Sequence, residues 1–152
     1  MKLAEALSSR SALSDKVQQL RNRLKDCLKV QEGDTPVETP DRVIKELDRT
    51  LEDLQSLIYR INITNINTKI DGRSITSLLA ERDVLAMRAR ILKDGLDYIT
   101  ERETRYNRNE IKYVRTVDVR NFRRVCDKSA ARLRELDLKI QSLSWTTELL
   151  EE

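Results

Sequence analysis

The 152-residue chain contains no histidine, and this absence removes the side chain that most often serves as a general base or a metal ligand. Its two cysteines, Cys27 and Cys126, form no CxxC pair and therefore provide no zinc-binding motif. The sequence also has neither a glycine-rich phosphate-binding loop nor a Gly-x-Ser-x-Gly nucleophile motif. We therefore predict a protein that is not an enzyme and that uses neither a cofactor nor a metal.

Glycine, proline and aromatic residues are scarce, with 3 glycines, 2 prolines and 4% aromatic residues. Sheets need turns and β-branched or aromatic runs, so this composition favours long helices with few interruptions. No apolar run approaches the roughly 18 residues that cross a bilayer. Glu5 interrupts the apolar stretch near the start, so the sequence indicates no export signal. We expect a cytoplasmic protein without a membrane span.

Charged residues are abundant at 36%, but the net charge is only +3. This value is too small to indicate a nucleic-acid-binding protein from bulk electrostatics. The apolar fraction of 39% can line the contacts between helices but supplies little for a thick core. The composition therefore favours a homo-oligomer, in which a second copy covers part of the apolar surface.

Apolar residues recur at alternating steps of three and four, which is the heptad pattern of packed helices. In the second of the predicted helices the apolar seam consists of Ile44, Leu47, Leu51, Leu54, Ile58 and Ile61. Thr39 and Thr116 are predicted to cap the second and fourth helices. The pattern predicts four helices, at about residues 2–29, 40–64, 75–103 and 117–143, with linkers at 30–39, 65–74 and 104–116.

Short connections favour antiparallel neighbours, so we predict one mainly all-α domain, an up-down bundle of the four heptad-patterned helices. Near residues 66–75 apolar and polar residues alternate, and Asp71-Gly72 is a hairpin turn signal. This stretch predicts a small β-hairpin or an irregular loop.

Polar residues interrupt the apolar seams at one end of the predicted bundle. An up-down topology would bring these interruptions and their neighbours together as a polar layer, in which arginines could bind a carboxylate or phosphate ligand. The alternative is a buried network that fixes helix register and subunit pairing. It is the favoured interpretation, because isolated polar seam residues more often specify pairing than bind ligands. The residues concerned are Arg10, Asn62, Asn65, Glu81, Arg82, Asp83 and Trp145.

A second candidate site is the basic stretch 102–124, where two tyrosines stand among seven arginines and one lysine. Tyrosines can stack on bases while basic side chains hold phosphates, so the stretch could bind an anion or a nucleic acid. The alternative is a solvated loop whose charges pair with acidic faces elsewhere, and it is the favoured interpretation because the chain is close to neutral. The residues most suited to binding are Arg105, Tyr106, Arg108, Lys112 and Tyr113.

The sequence contains a set of short motifs, which are Lys2–Leu7, Lys29–Gly33, Ala80–Asp83, Arg105-Tyr106, Glu110–Lys112, Thr116–Val119 and Trp145–Thr147. Together these motifs resemble a family of small bacterial helical proteins of unknown function, some of them labelled septicolysin. The resemblance spans nearly the whole chain and implies a bacterial, cytoplasmic, helical protein. The label itself suggests a membrane-active protein, whose helices would need basic polar faces, whereas these faces are mixed in sign.

The leading functional hypothesis is a structural or interaction protein that acts through helical-bundle or coiled-coil surfaces, as a homo-oligomer with a protein partner that the sequence does not identify. This hypothesis rests on the four heptad seams, the low apolar content and the lack of a catalytic motif in the sequence. The first alternative is the anion or nucleic-acid binding module, and the second is a membrane-active protein.

Overall fold

The computed structural model describes residues 1–101 and 111–151 and confirms a mainly all-α protein. The helices are α1 (Leu3–Leu28), α2 (Pro40–Asn67), α3 (Ile75–Thr100) and α4 (Val119–Thr146). Each lies within three residues of its predicted bounds. The chain divides into two compact units, residues 1–75 with 142–152 and residues 76–141. The prediction of a single domain concerns how these units combine and stays a prediction.

The predicted hairpin between α2 and α3 is confirmed. Strands β1 (Lys69–Ile70) and β2 (Arg73–Ser74) pair antiparallel, with Lys69 opposite Ser74. Asp71 and Gly72 join them with φ values of 53° and 77°. A two-residue type I′ turn requires positive φ at both central positions, and an Asp-Gly pair tolerates that conformation. The two-residue signal was therefore sufficient to place the hairpin.

In the first unit, α1 and α2 pack as an antiparallel pair along a heptad seam. Leu20, Cys27 and Val43 form a buried cluster, and Leu24 and Leu47 pack against it. Leu3 and Ala6 of α1 are also buried.

The predicted seam of α2 was wrong over part of the helix, where each buried residue lies one position before the predicted one. Thr50 and Thr64 are buried, and each hydroxyl donates to the backbone carbonyl four residues earlier at 2.8 Å. A threonine bonded in this way presents its methyl group to the seam without an unpaired hydroxyl. The buried seam residues are Val43, Thr50, Leu57, Ile61 and Thr64, whereas Ile44, Leu51 and Ile58 are exposed.

The beginnings of α2 and α4 differ in how their first amide groups are bonded. Thr39 precedes α2 as predicted, but its side chain makes no capping hydrogen bond. The predicted cap of α4 was wrong, because Asp118 takes this role in place of Thr116. The Asp118 carboxylate accepts a bond from the Arg120 amide at 3.2 Å, and its carbonyl accepts one from Phe122. A carboxylate at this position also suits the positive end of the helix.

Residues 147–150 return to the start of the chain and complete the first unit. The Leu3 amide donates to the Thr147 carbonyl at 2.9 Å, and the Leu149 amide donates to the Met1 carbonyl at 2.8 Å. The Leu149 side chain is buried, and the Leu150 amide donates to the Thr64 hydroxyl at 2.9 Å. We call these two paired segments, residues 1–3 and 147–150, the terminal bridge.

In the second unit, α3 and α4 also form an antiparallel pair. The Cys126 thiol donates to the Leu92 carbonyl at 3.4 Å. A side-chain carbon at Gly95 would lie 3.3 Å from the Phe122 ring, so glycine permits this close approach of the two helices.

Candidate interaction surface on helix α3

Helix α3 carries one apolar face that packs within its own unit. Leu78 and Leu85 are buried, and Leu92 and Leu96 are half-buried. The Cys126 bond to the Leu92 carbonyl shows that this face is turned towards α4. We call it the inner face.

A second apolar row runs along the opposite side of the same helix. Its large members are exposed to 65% at Val84, 59% at Met87, 67% at Ile91 and 71% at Tyr98. Ala80 is also exposed and lies four residues before Val84. Steps of four, three, four and seven residues keep all five on one side of an α-helix. We call this row the outer stripe.

Charged residues border the outer stripe on both sides, with signs that alternate along the helix. Asp83, Arg90 and Asp97 are exposed and follow one another at intervals of seven residues, so they lie on one border. Glu81 and Arg88, also seven residues apart, lie on the other border. Long charged side chains beside an apolar seam commonly select the partner and its orientation in paired helices.

Three residues of the predicted polar layer lie at the start of α3 and form ion pairs within the second unit. Glu81 accepts a hydrogen bond from Arg132 at 3.3 Å. Arg82 donates to Asp83 at 2.7 Å, and its Nε lies 4.0 Å from the Asp137 carboxylate. The contacts of Arg132 with Glu81 and of Arg82 with Asp137 join α3 to α4, which agrees with a structural role for polar seam residues.

The other four residues of that predicted layer belong to the first unit. Arg10 on α1, Asn62 on α2 and Trp145 near the end of α4 are exposed, and Asn65 is half-buried. A single layer containing all seven residues stays a prediction.

The basic stretch is only partly included in the described residues. Arg105, Tyr106 and Arg108 lie outside them. Lys112 and Tyr113 are exposed and belong to neither a helix nor a strand. Arg115 donates to the Ile99 carbonyl at 2.6 Å, which ties the chain before α4 to the end of α3.

Residues 1–101 and 111–151 contain no group of three acidic or cysteine side chains placed to hold a metal ion. Over those residues, no helix combines the length and the apolar character needed to cross a membrane.

The comparisons with known proteins place the chain in a family. A model described as "Family of unknown function (DUF6847)" matches residues 10–149. The chain belongs to this family. The matched residues of this DUF6847 chain include the whole outer stripe and its charged borders.

The DUF6847 chain is also similar to a solved structure of a functionally unknown conserved protein from Corynebacterium diphtheriae. The two chains are 40% identical, with a TM-score of 0.91 and 99% of each chain covered. No curated protein matches the chain. The similar structure comes from a bacterium, and the resemblance to septicolysin-like proteins stays a prediction.

The sequence analysis missed the outer stripe because it assigned one seam to each helix. The signal was present, since Val84, Met87, Ile91 and Tyr98 keep heptad spacing in a register different from that of Leu85 and its neighbours. Two heptad registers on one helix indicate two apolar faces, and the second face had no assigned neighbour.

Proposed function

We propose that this DUF6847 chain is an interaction protein that assembles with copies of itself through the exposed face of α3. The observation that carries the proposal is the outer stripe, in which four large apolar side chains are each more than half exposed. Contiguous apolar patches of this kind mark binding surfaces on soluble proteins more often than scattered apolar residues do. Burial of such a patch is favourable by about 25 cal/mol per Å².

The spacing of the outer stripe supports a helix as the partner. Side chains at steps of three and four present a row of knobs that fits the holes of a second helix. The inner face of α3 already packs towards α4, so a further helix would meet the outer stripe without displacing a neighbour in that unit.

The test compares two leucine-sized residues that are both exposed on helices of the second unit. Ile91 lies in the outer stripe, and Leu138 lies on α4, exposed to 60%. We expect the unsubstituted chain to show a molar mass that rises with concentration in light scattering. Ile91→Glu should keep the chain at the mass of one copy, because it places a charge in the contact, whereas Leu138→Glu should not.

Circular dichroism of both variants establishes that their helices are intact. A chain that stays at the mass of one copy up to millimolar concentration would overturn the proposal. An assembly that Ile91→Glu leaves unchanged would show that another surface is responsible.

A second candidate function is anion or nucleic-acid binding by the basic stretch, favoured by the exposure of Lys112 and Tyr113. Binding of single-stranded DNA or polyphosphate should then weaken steeply as salt rises. Lys112→Glu with Tyr113→Ala should reduce it, and Lys139→Glu on α4 serves as the charge-matched control. Binding that ignores salt would contradict this function.

We further propose that assembly takes place in the cytoplasm, a reducing compartment that suits the free cysteines Cys27 and Cys126. A membrane-active protein would release dye from anionic liposomes, and we expect no release.

A further inference from the structure

We propose that the second copy docks on the outer stripe in an antiparallel orientation and in one particular register. This inference rests on the self-assembly proposed above and adds to it the direction of the partner and the identity of the facing residues. In this register Val84 faces Met87 of the second copy, and Ala80 faces its Ile91. Two-fold symmetry repeats both contacts, as a closed dimer requires.

The apolar content of α3 favours this register. The row from Ala80 to Ile91 contains four consecutive heptad positions that are all apolar, and the next position, residue 94, is an aspartate. The antiparallel register places all four apolar positions in the contact and sets Asp94 opposite Ser77, at the polar end. Sliding by one heptad, so that the overlap lengthens, would instead press the Asp94 carboxylate against Val84 of the second copy.

A parallel pair is disfavoured by the same aspartate. Parallel helices in register set each residue beside its own copy, so Asp94 would face Asp94 at a seam position. Two carboxylates in a contact that excludes water repel each other and lose hydration. The antiparallel register avoids this repulsion without any loss of apolar contact between Ala80 and Ile91.

The charged borders complement the antiparallel register. Asp83 comes one residue before Val84, and Arg90 comes one residue before Ile91, on the same border. When the second helix runs in the opposite direction, Asp83 of each copy lies beside Arg90 of the other. The Asp83 side chain is 65% exposed and Arg90 is exposed, so both are available to a second copy. On the other border, Glu81 of each copy likewise lies beside Arg88 of the other.

The contact is small, because Ala80 to Ile91 spans only about 17 Å of helix. Small interfaces accompany weak and reversible association. We therefore expect a dimer that dissociates on dilution.

The first test exchanges the charges of one border. Asp83→Arg alone and Arg90→Asp alone should each weaken dimerisation about tenfold, since two attractive contacts become repulsive. An equimolar mixture of the two variants should recover the affinity, because every facing pair is then opposite in sign. Asp97→Arg, on the same border but outside the contact, is the matched control and should leave dimerisation unchanged. Sedimentation velocity measures the dissociation constant in each case.

The second test reads the direction of the partner. Chains carrying Ala80→Cys should form a disulfide with chains carrying Ile91→Cys, and neither variant should cross-link with itself. In the antiparallel register the two copies of residue 80 lie about 17 Å apart along the axis, beyond the reach of a disulfide. The unsubstituted chain reports any cross-linking by Cys27 and Cys126.

The outcomes separate this inference from the proposed function. Self-cross-linking of the Ala80→Cys chain, or a mixture of charge variants that fails to recover, would overturn the antiparallel register while assembly through α3 stands. An unsubstituted chain that never dimerises, or a dimer that Ile91→Glu does not affect, would overturn both.

Discussion

At the scale of single residues, Arg23 joins three parts of the first unit. It projects from α1 and lies 2.5 Å from the Glu38 carboxylate, in the linker before α2, and 3.0 Å from the Glu46 carboxylate on α2. The bonds from the Arg23 guanidinium hold the pKa values of Glu38 and Glu46 below their usual range. All three side chains are partly exposed, so solvent screens these attractions.

The first prediction concerns the response of this cluster to acid. Carboxyl groups with lowered pKa values stabilise the fold above their unfolded pKa, and this contribution disappears as the pH falls through the folded pKa values. We therefore expect Arg23→Gln to lower the thermal stability slightly at pH 7 and to have a smaller effect at pH 3, where protonation of the two carboxyl groups weakens the contacts. Thermal unfolding followed by circular dichroism at both pH values measures the difference.

Arg21, an exposed arginine two residues earlier on α1, provides the control for charge alone. Arg21→Gln should change the thermal stability less than Arg23→Gln at pH 7. An equal effect of the two substitutions at pH 7 would show that the Arg23 contacts do not contribute to folding.

At the scale of helices and strands, two leucines of α2 reverse the sequence prediction, because the predicted seam contains Leu51 and leaves out Leu57. Leu57 is buried against the first unit, whereas Leu51 is 42% exposed. We expect Leu57→Ala to lower the free energy of unfolding by about 2–5 kcal/mol, as for buried leucines elsewhere. Leu51→Ala should cost less than half as much, because it leaves no cavity. Urea unfolding gives both values, and a larger loss at Leu51 than at Leu57 would favour the seam predicted from the sequence.

Sequence patterns were sufficient for the helices because few glycines and prolines interrupt the heptads, and for the hairpin because Asp71-Gly72 specifies its turn. They failed for α2, where Thr50 and Thr64 look polar in the sequence. Each hydroxyl donates to a carbonyl of its own helix, and this bond allows the threonine to be buried in the seam.

The candidate site was less predictable than the helices. Periodicity finds both apolar registers of α3, but only packing shows that the inner face is covered and that Met87 and Ile91 are exposed. Ion pairs such as Arg132 with Glu81 depend on long side chains from different helices, which spacing along one helix does not specify.

At the scale of the whole molecule, the terminal bridge joins residues that are far apart in sequence, since Met1 and Glu148 are 147 positions apart. Lys2 also pairs with Glu148, and this contact together with the Met1 amine lowers the pKa of the Glu148 carboxyl. Arg60 on α2 donates to the Leu150 carbonyl at 3.3 Å, so α2 also holds residues 147–150 in place.

The matched pair Leu149 and Leu150 tests the contribution of the terminal bridge. Leu149 is buried and Leu150 is exposed to 36%. Leu149→Ala should lower the free energy of unfolding by about 2–5 kcal/mol, and Leu150→Ala by clearly less. Chemical denaturation measures both, and a negligible loss at Leu149 would contradict a structural role for the bridge.

The terminal bridge also bears on the order in which the protein folds during synthesis. The α1–α2 pair is local in sequence and can form as soon as its residues leave the ribosome, since short loops close quickly. Its buried surface is not complete until Leu149 arrives, after the whole second unit has been translated. The nascent first unit therefore lacks one of its buried apolar side chains for most of translation, and it gains that side chain when residues 147–150 pair with residues 1–3.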